Sequence, residues 1–236
     1  MRPYNYNLML SRPINVGIID DHALFRKTLK CFLSDQGNIK VTVQASDVFD
    51  LLEKLRTSSI DVLLMDIFLP ELISTEILKV IQGEFPNIKI LILSMSTDMN
   101  LIGELLDVGI HGYISKAEEP EELLQAIYAA ADNRIYRNRL FTEALYWNKQ
   151  NNIRTYLKGQ DVTLNEREKK ILQLIWEEKS NKEIADVLFL GIRSVEKIRQ
   201  DIKEKLHVKS TVGMLKYAIN KKIIEVNARS SNMRFS

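Results

Sequence analysis

Among 236 residues there is one cysteine, Cys31. No disulfide can form within the chain, and the expected setting is the cytoplasm. Cys31 lies among Leu29, Phe32 and Leu33, so the expectation is a small buried apolar residue. Long apolar runs are also missing. None approaches the roughly 18 residues that a membrane-crossing helix needs, so no membrane partner is expected. The stretch Met1–Pro13 holds Arg2 and Arg12 but no sustained apolar core, and it is expected to be a short extension, not a signal peptide. There is no low-complexity tract and no internal repeat beyond the rhythm described below. A hydrophobic share of 45% and a charged share of 27% are those of a globular chain, which excludes wholesale disorder.

Charge of one sign is lacking only in the sum. The formal net charge is +2. Residues 14–131 carry 9 Lys and Arg against 18 Asp and Glu, whereas residues 162–236 carry 16 against 10. An acidic half followed by a basic half predicts two domains with different partners, the basic one suited to a polyanion such as nucleic acid.

The acidic half alternates short apolar runs with helix-period segments. The runs are Val16–Ile19, Val41–Ala45, Val62–Met65, Ile90–Leu93 and Tyr113–Ile114. Each is too short for a buried helix, and several are rich in Val and Ile. Between them Phe25, Leu29, Phe32 and Leu33 share one helical face, as do Val48, Leu51, Leu52 and Leu55, and later Leu123, Leu124 and Ile127. Five such units predict an α/β fold, a doubly wound five-stranded parallel sheet covered on both faces. Ligands of such sheets bind beyond the C-terminal ends of the strands.

Five residues fall at that edge. Asp20 and Asp21 follow the first run, Asp66 follows the third, Ser94 ends the fourth and Lys116 ends the fifth. Taken singly, each reads as a turn residue, a helix cap or a solvated charge. Together they specify a chemistry. Three neighbouring carboxylates repel one another and call for a hard cation such as Mg²⁺, which takes oxygen ligands and phosphate. Asp66 can then attack a phosphoryl donor, Lys116 can neutralise the transferring group, and the Ser94 hydroxyl can hydrogen-bond a phosphoryl oxygen.

Residues 14–131 resemble the receiver domain of bacterial two-component response regulators. The matching stretches are Val16-Gly17-Ile18-Ile19-Asp20-Asp21-His22, Asp61-Val62-Leu63-Leu64-Met65-Asp66 with Pro70 four residues on, and Gly112-Tyr113-Ile114-Ser115-Lys116. The resemblance implies Asp66 as phospho-acceptor, Asp20 and Asp21 as metal-site acids, Phe68 as a backbone-carbonyl metal ligand, and Ser94 with Tyr113 as the pair that rearranges after phosphorylation. Two departures stand out. The run Glu71-Leu72-Ile73-Ser74 has no glycine where the family has a glycine-containing turn, and Ala117 stands where many receivers have proline.

Residues 132–161 read as a linker with some helix over Leu140–Tyr146; its aromatics, Tyr136, Phe141, Tyr146, Trp147 and Tyr156, are expected to pack on a domain. Residues 162–226 read as helix only, and 227–236 as a polar tail. Ile184, Ala185 and Leu188 form one apolar face, and Val195, Ile198 and Ile202 another, with a break at Gly191, as a helix-turn-helix requires. Ser194 is expected to cap the second helix. Glu196, Lys197 and Gln200 are expected to enter a major groove, with Arg193, Arg199 and Lys203 near phosphates, and Lys182 and Ser194 are further DNA-binding candidates. Residues 160–225 resemble the LuxR-type domain of the NarL/FixJ group of response regulators, through Leu164, Glu166-Arg167-Glu168, Asn181-Lys182-Glu183-Ile184-Ala185, Val195, Glu196, Lys205-Leu206 and Tyr217-Ala218. That resemblance implies four helices, the third in the major groove of double-stranded DNA and the fourth forming a dimer on DNA. Gly191-Ile192 replaces the usual small-polar and proline pair, and Ile198 stands where histidine is frequent.

The expected function is a phosphorylation-dependent transcription regulator, a homodimer when active, fed by a sensor histidine kinase and not itself a turnover enzyme. One rival keeps the DNA-binding domain and makes the receiver an unphosphorylated dimerisation platform. A second, a metal-dependent phosphatase, lacks an acid two residues beyond Asp66, where Phe68 stands.

Overall fold

The computed structural model describes residues 12–69, 74–151 and 162–224. The chain divides into two compact units, Met1–Ala144 and Leu145–Ser236. Most of the expected extension and the whole expected tail lie outside the described residues, as do Glu71–Ile73 of the glycine-free loop and Tyr156.

The first unit alternates strand and helix: β1 Ile14–Ile19, α1 Ala23–Ser34, β2 Ile39–Ala45, α2 Val48–Thr57, β3 Val62–Asp66, α3 Ser74–Glu84, β4 Lys89–Ser94, α4 Met99–Val108, β5 Gly112–Ser115 and α5 Pro120–Ala131. All strand pairs are parallel, in the order β2-β1-β3-β4-β5. Burial follows that order. Every residue of central β3 is buried, whereas edge strand β2 exposes Lys40 and Thr42. One face packs Val16, Ile18, Leu64, Leu91 and Ile114 against Leu29 and Leu33 of α1 and Ala126 and Ile127 of α5. Helix starts are fixed by local chemistry. Asp47 accepts from the Asp50 amide to cap α2, Asp98 accepts from Asn100 to cap α4, and Pro120 opens α5 ahead of Glu121 and Glu122.

Two expectations change, and the geometry of the Lys116–Ala117 peptide is settled. Cys31 is exposed. It sits two residues from each of the inward-facing Leu29 and Leu33, and at about 100° per residue that turns it away from the sheet. Residues 132–144 of the expected, partly helical linker fall within the first unit, with Phe141 buried. The Tyr136 amide donates to the His111 carbonyl at 2.8 Å, and the Asn138 amide group donates to the Tyr113 carbonyl at 2.9 Å. Asn138 Oδ1 then accepts from the Phe141 amide and starts α6, Arg139–Asn151. The Lys116–Ala117 peptide is trans, as no cis bond occurs among the described residues.

The second unit is helical throughout its described residues: α7 Glu166–Trp176, α8 Asn181–Leu188, α9 Ile192–Lys205 and α10 Thr211–Asn220. Capping boxes open α7 (Asn165 with Glu168) and α8 (Ser180 with Glu183). The core gathers Leu164, Ile171, Leu172, Ile184, Val195, Ile202 and Leu215. Phe189 ends α8 in the left-handed region at φ 53°, with its side chain 95% exposed.

In the first unit α4 ends at Gly109, whose φ of 105° a Cβ opposes. Gly109→Ala is expected to lower unfolding stability by about 1–2 kcal/mol, and Gly109→Asn by less, in urea titrations.

Candidate phosphoryl-acceptor site and nucleic-acid interface

The sheet brings the strand ends together as the βα rhythm predicts. Asp66 pairs in register with Leu93, and Ser94 with Ser115, so the ends of β3, β4 and β5 lie side by side. Lys116 reaches back across them. Its ammonium donates to Asp20 Oδ2 at 2.7 Å and to Asp66 Oδ2 at 2.6 Å. Both carboxylates are nearly inaccessible, with Asp20 1% and Asp66 4% exposed. Burial pulls the Lys116 pKa down, but its hydrogen bonds to the two carboxylates and their charge outweigh that pull and hold it above 10.5.

Backbone amides secure the second oxygens: His22 donates to Asp20 Oδ1 at 2.8 Å, and Phe68 to Asp66 Oδ1 at 3.2 Å. Asp21 is more open, with Oδ1 2.7 Å from His22 Nδ1. One ligand atom from each of Asp20, Asp21, His22 and Asp66 lies within 4.8 Å of the others. A set dominated by carboxylate oxygens fits a hard divalent cation. The Phe68 side chain is exposed, and its amide is already engaged with Asp66.

Ser94 is fully buried and its Oγ accepts from the Ser96 amide at 3.1 Å. The buried Tyr113 hydroxyl donates to the Ser96 carbonyl at 2.7 Å. Burial pushes the Tyr113 pKa up, against hydrogen bonds with Ser94 and Ser96, and the charge of Asp66 adds to the rise. The segment after β4 is therefore held by both residues of the expected switch pair.

Two supporting residues escaped sequence reading. The Lys116 ammonium lies 4.6 Å from the centroid of the Phe25 ring, and the Arg26 guanidinium donates to the Asp20 carbonyl. Both sit in the first turn of α1, directly after Asp20 and Asp21, and that adjacency was the available signal.

In the second unit Lys182, Arg193, Ser194, Glu196, Lys197 and Gln200 are exposed, and Lys203 is half-buried. Arg199 is not at a surface. It is 7% exposed and donates to Asn181 Oδ1 and, at 3.1 Å, to Thr211 Oγ1, which joins the starts of α8 and α10 to α9. The reason is periodicity, since Arg199 lies four residues after Val195 and three before Ile202, both inward. Burial lowers its pKa from 12.5 to about 10, against a rise from the charge of Glu196. Nor does Ser194 cap α9. The Gly191 carbonyl accepts from the amides of both Ser194 and Val195, so the helix starts three residues earlier than expected.

Residues 16–128 match the response regulator receiver domain, and residues 162–218 match the bacterial regulatory proteins of the luxR family. The oxygen regulatory protein NreC of Staphylococcus carnosus (strain TM300) is 33% identical over 224 residues, 90% of this chain and 100% of that protein. The chain belongs to the NarL/FixJ group of response regulators. NreC of Staphylococcus aureus (strain MRSA252) is likewise 33% identical, over 219 residues, 90% of this chain and 100% of that one. A structure of the RcsB response regulator of Salmonella typhimurium shares the fold with a TM-score of 0.55 at 23% identity, over 88% of this chain and 99% of that one. This response regulator thus joins a receiver to a LuxR-type DNA-binding domain. Among its described residues no helix is long and apolar enough to cross a membrane.

Two measurements check these assignments. A lysine whose pKa rises on folding stabilises the fold below its unfolded value, and that contribution is lost as pH climbs through the folded one. Wild-type stability is expected to fall above about pH 10.5 more steeply than that of Lys116→Met, in chemical unfolding followed by circular dichroism across alkaline pH. Arg199→Ala is expected to lower stability by about 2–3 kcal/mol. The salt dependence of DNA binding should stay unchanged, whereas loss of a phosphate contact would reduce its slope by about one.

Proposed function

We propose that Asp66 accepts the phosphoryl group that switches this regulator, with a sensor histidine kinase as donor. One observation carries the reading: a single ammonium, that of Lys116, joins the buried carboxylates at the ends of β1 and β3. An oxygen of Asp66 attacks the phosphorus of a phosphohistidine. A new O–P bond makes an acyl phosphate, the P–N bond breaks, and the departing imidazole nitrogen takes up a proton. Lys116 balances charge on the transferred group, and the Ser94 hydroxyl hydrogen-bonds one of its oxygens.

Asp20, Asp21 and Asp66, with the Phe68 carbonyl, would hold Mg²⁺. When bound, that ion supplies charge neutralisation for the phosphoryl oxygens. The acyl phosphate draws Ser94 and Tyr113 out of their bonds with Ser96 and shifts a pre-existing equilibrium toward a homodimer able to bind DNA. RcsB has been seen as two dimers bound to two parallel DNAs, and that precedent supports the same use of the second unit here. The protein then acts in the cytoplasm as a transcription regulator that accepts and loses one phosphoryl group, with no substrate turned over. No separate observation favours a receiver that serves as an unphosphorylated platform.

The test treats wild type and Asp66→Ala with Mg²⁺ and a small phosphodonor. Wild type should gain the mass of one phosphoryl group, sediment as a dimer and bind operator DNA at least tenfold more tightly. The variant should do none of these. Equal DNA affinity and equal dimerisation in the two proteins would end the switch model.

A further inference from the structure

Helix α9 does not present one uniform charge. Its inward face is Val195, Arg199 and Ile202, so at about 100° per residue the outward stripe runs through Arg193, Glu196, Lys197, Gln200 and Glu204. The first half of that stripe carries two cations, Arg193 and Lys197, around the carboxylate of Glu196. The second half mixes signs, with Asp201 and Glu204 exposed and Lys203 half-buried. A cation at that end is already committed, since the Lys205 ammonium lies 3.0 and 3.2 Å from the Glu168 oxygens. The Gln200 amide donates to Glu204 at 2.8 Å. The fully exposed cations of the outward stripe, Arg193 and Lys197, are thus both in the first two turns, where they attract phosphates. The N-terminal turns are also those that reach base edges when such a helix lies in a major groove.

Glu196 sits in the middle of those two turns. Its carboxylate is exposed, and its charge also acts on the buried Arg199 guanidinium one turn on. A carboxylate only accepts hydrogen bonds. In the major groove guanine offers N7 and O6, both acceptors, and thymine offers the acceptor O4 beside a methyl group. Each of them repels Glu196. Adenine offers the N6 donor, but its N7 acceptor lies alongside. Cytosine offers the N4 donor with no acceptor beside it on the same base.

We propose that Glu196 is a specificity-determining residue that selects a cytosine in each operator half-site through its N4 amino group. Arg193 and Lys197 offset the repulsion between its carboxylate and the flanking phosphates, so the acid discriminates among bases without preventing docking. This inference rests on α9 being the helix that reads the groove.

The test is selection of duplexes from a randomised pool by the full-length, phosphodonor-treated protein, followed by sequencing. Wild type is expected to fix one position of each half-site as cytosine, by about tenfold or more over the other bases. In Glu196→Ala that position should relax to all four bases while the rest of the motif stays. In Glu196→Gln it should move from cytosine to adenine, since an amide pairs with N6 and N7 together. A wild-type motif kept whole by both variants would overturn the proposal. A wild-type protein that enriches no motif at all would instead overturn the groove-reading role of α9, so the two failures are distinguishable.

Discussion

Lys116 is the constraint on which the receiver's arrangement depends. Two carboxylates that are almost wholly buried, Asp20 and Asp66, would repel each other across the strand ends without a cation between them. The lysine supplies it from the end of β5, with its ammonium also over the Phe25 ring. The sheet order makes this possible. Because β1 and β4 flank β3, and β5 lies beyond β4, the side chain must cross the end of β4, where Ser94 is buried. The same crossing places the lysine where an incoming phosphoryl group would meet it.

The two units solve the problem of a buried cation differently. In the receiver Lys116 has two carboxylate partners, and its pKa rises. In the helical unit Arg199 has an amide oxygen and a hydroxyl, and its pKa falls. The first arrangement holds charge at a reactive edge. The second ties the starts of α8 and α10 to α9. Neutral partners suit that role, because the bonds persist whatever the surrounding charge.

Much of this was legible in the sequence. The strand-end residues Asp20, Asp21, Asp66, Ser94 and Lys116 could be found because each apolar run stops abruptly at a polar residue, and a parallel sheet brings all such stops to one edge. The errors have local causes. The charge of Arg199 points to the surface, but its spacing from Val195 and Ile202 places it inside. The residue type of Ser194 suits a cap, but glycine also begins helices and the Gly191 carbonyl is what closes the first turn. Residues 132–144 have no clear apolar period, so their docking through Tyr136 and Asn138 depends on the carbonyls of His111 and Tyr113, which sequence alone does not show.

That docking ties the start of α6 to the strand end that carries Tyr113. Tyr113 is held at two points by different atoms. Its hydroxyl is bound to the Ser96 carbonyl after β4, and its own carbonyl is bound to Asn138, which caps α6. Asn138 also donates to Glu122 of α5 at 2.9 Å. The start of α6 is thus bonded to the backbone of the residue whose side chain is hooked to the loop beside the acceptor site. A loosely tethered linker would dissipate any shift in β5 within a few rotatable bonds. Here hydrogen bonds run without a break from Ser94 through Ser96 and Tyr113 to Asn138 at the start of α6.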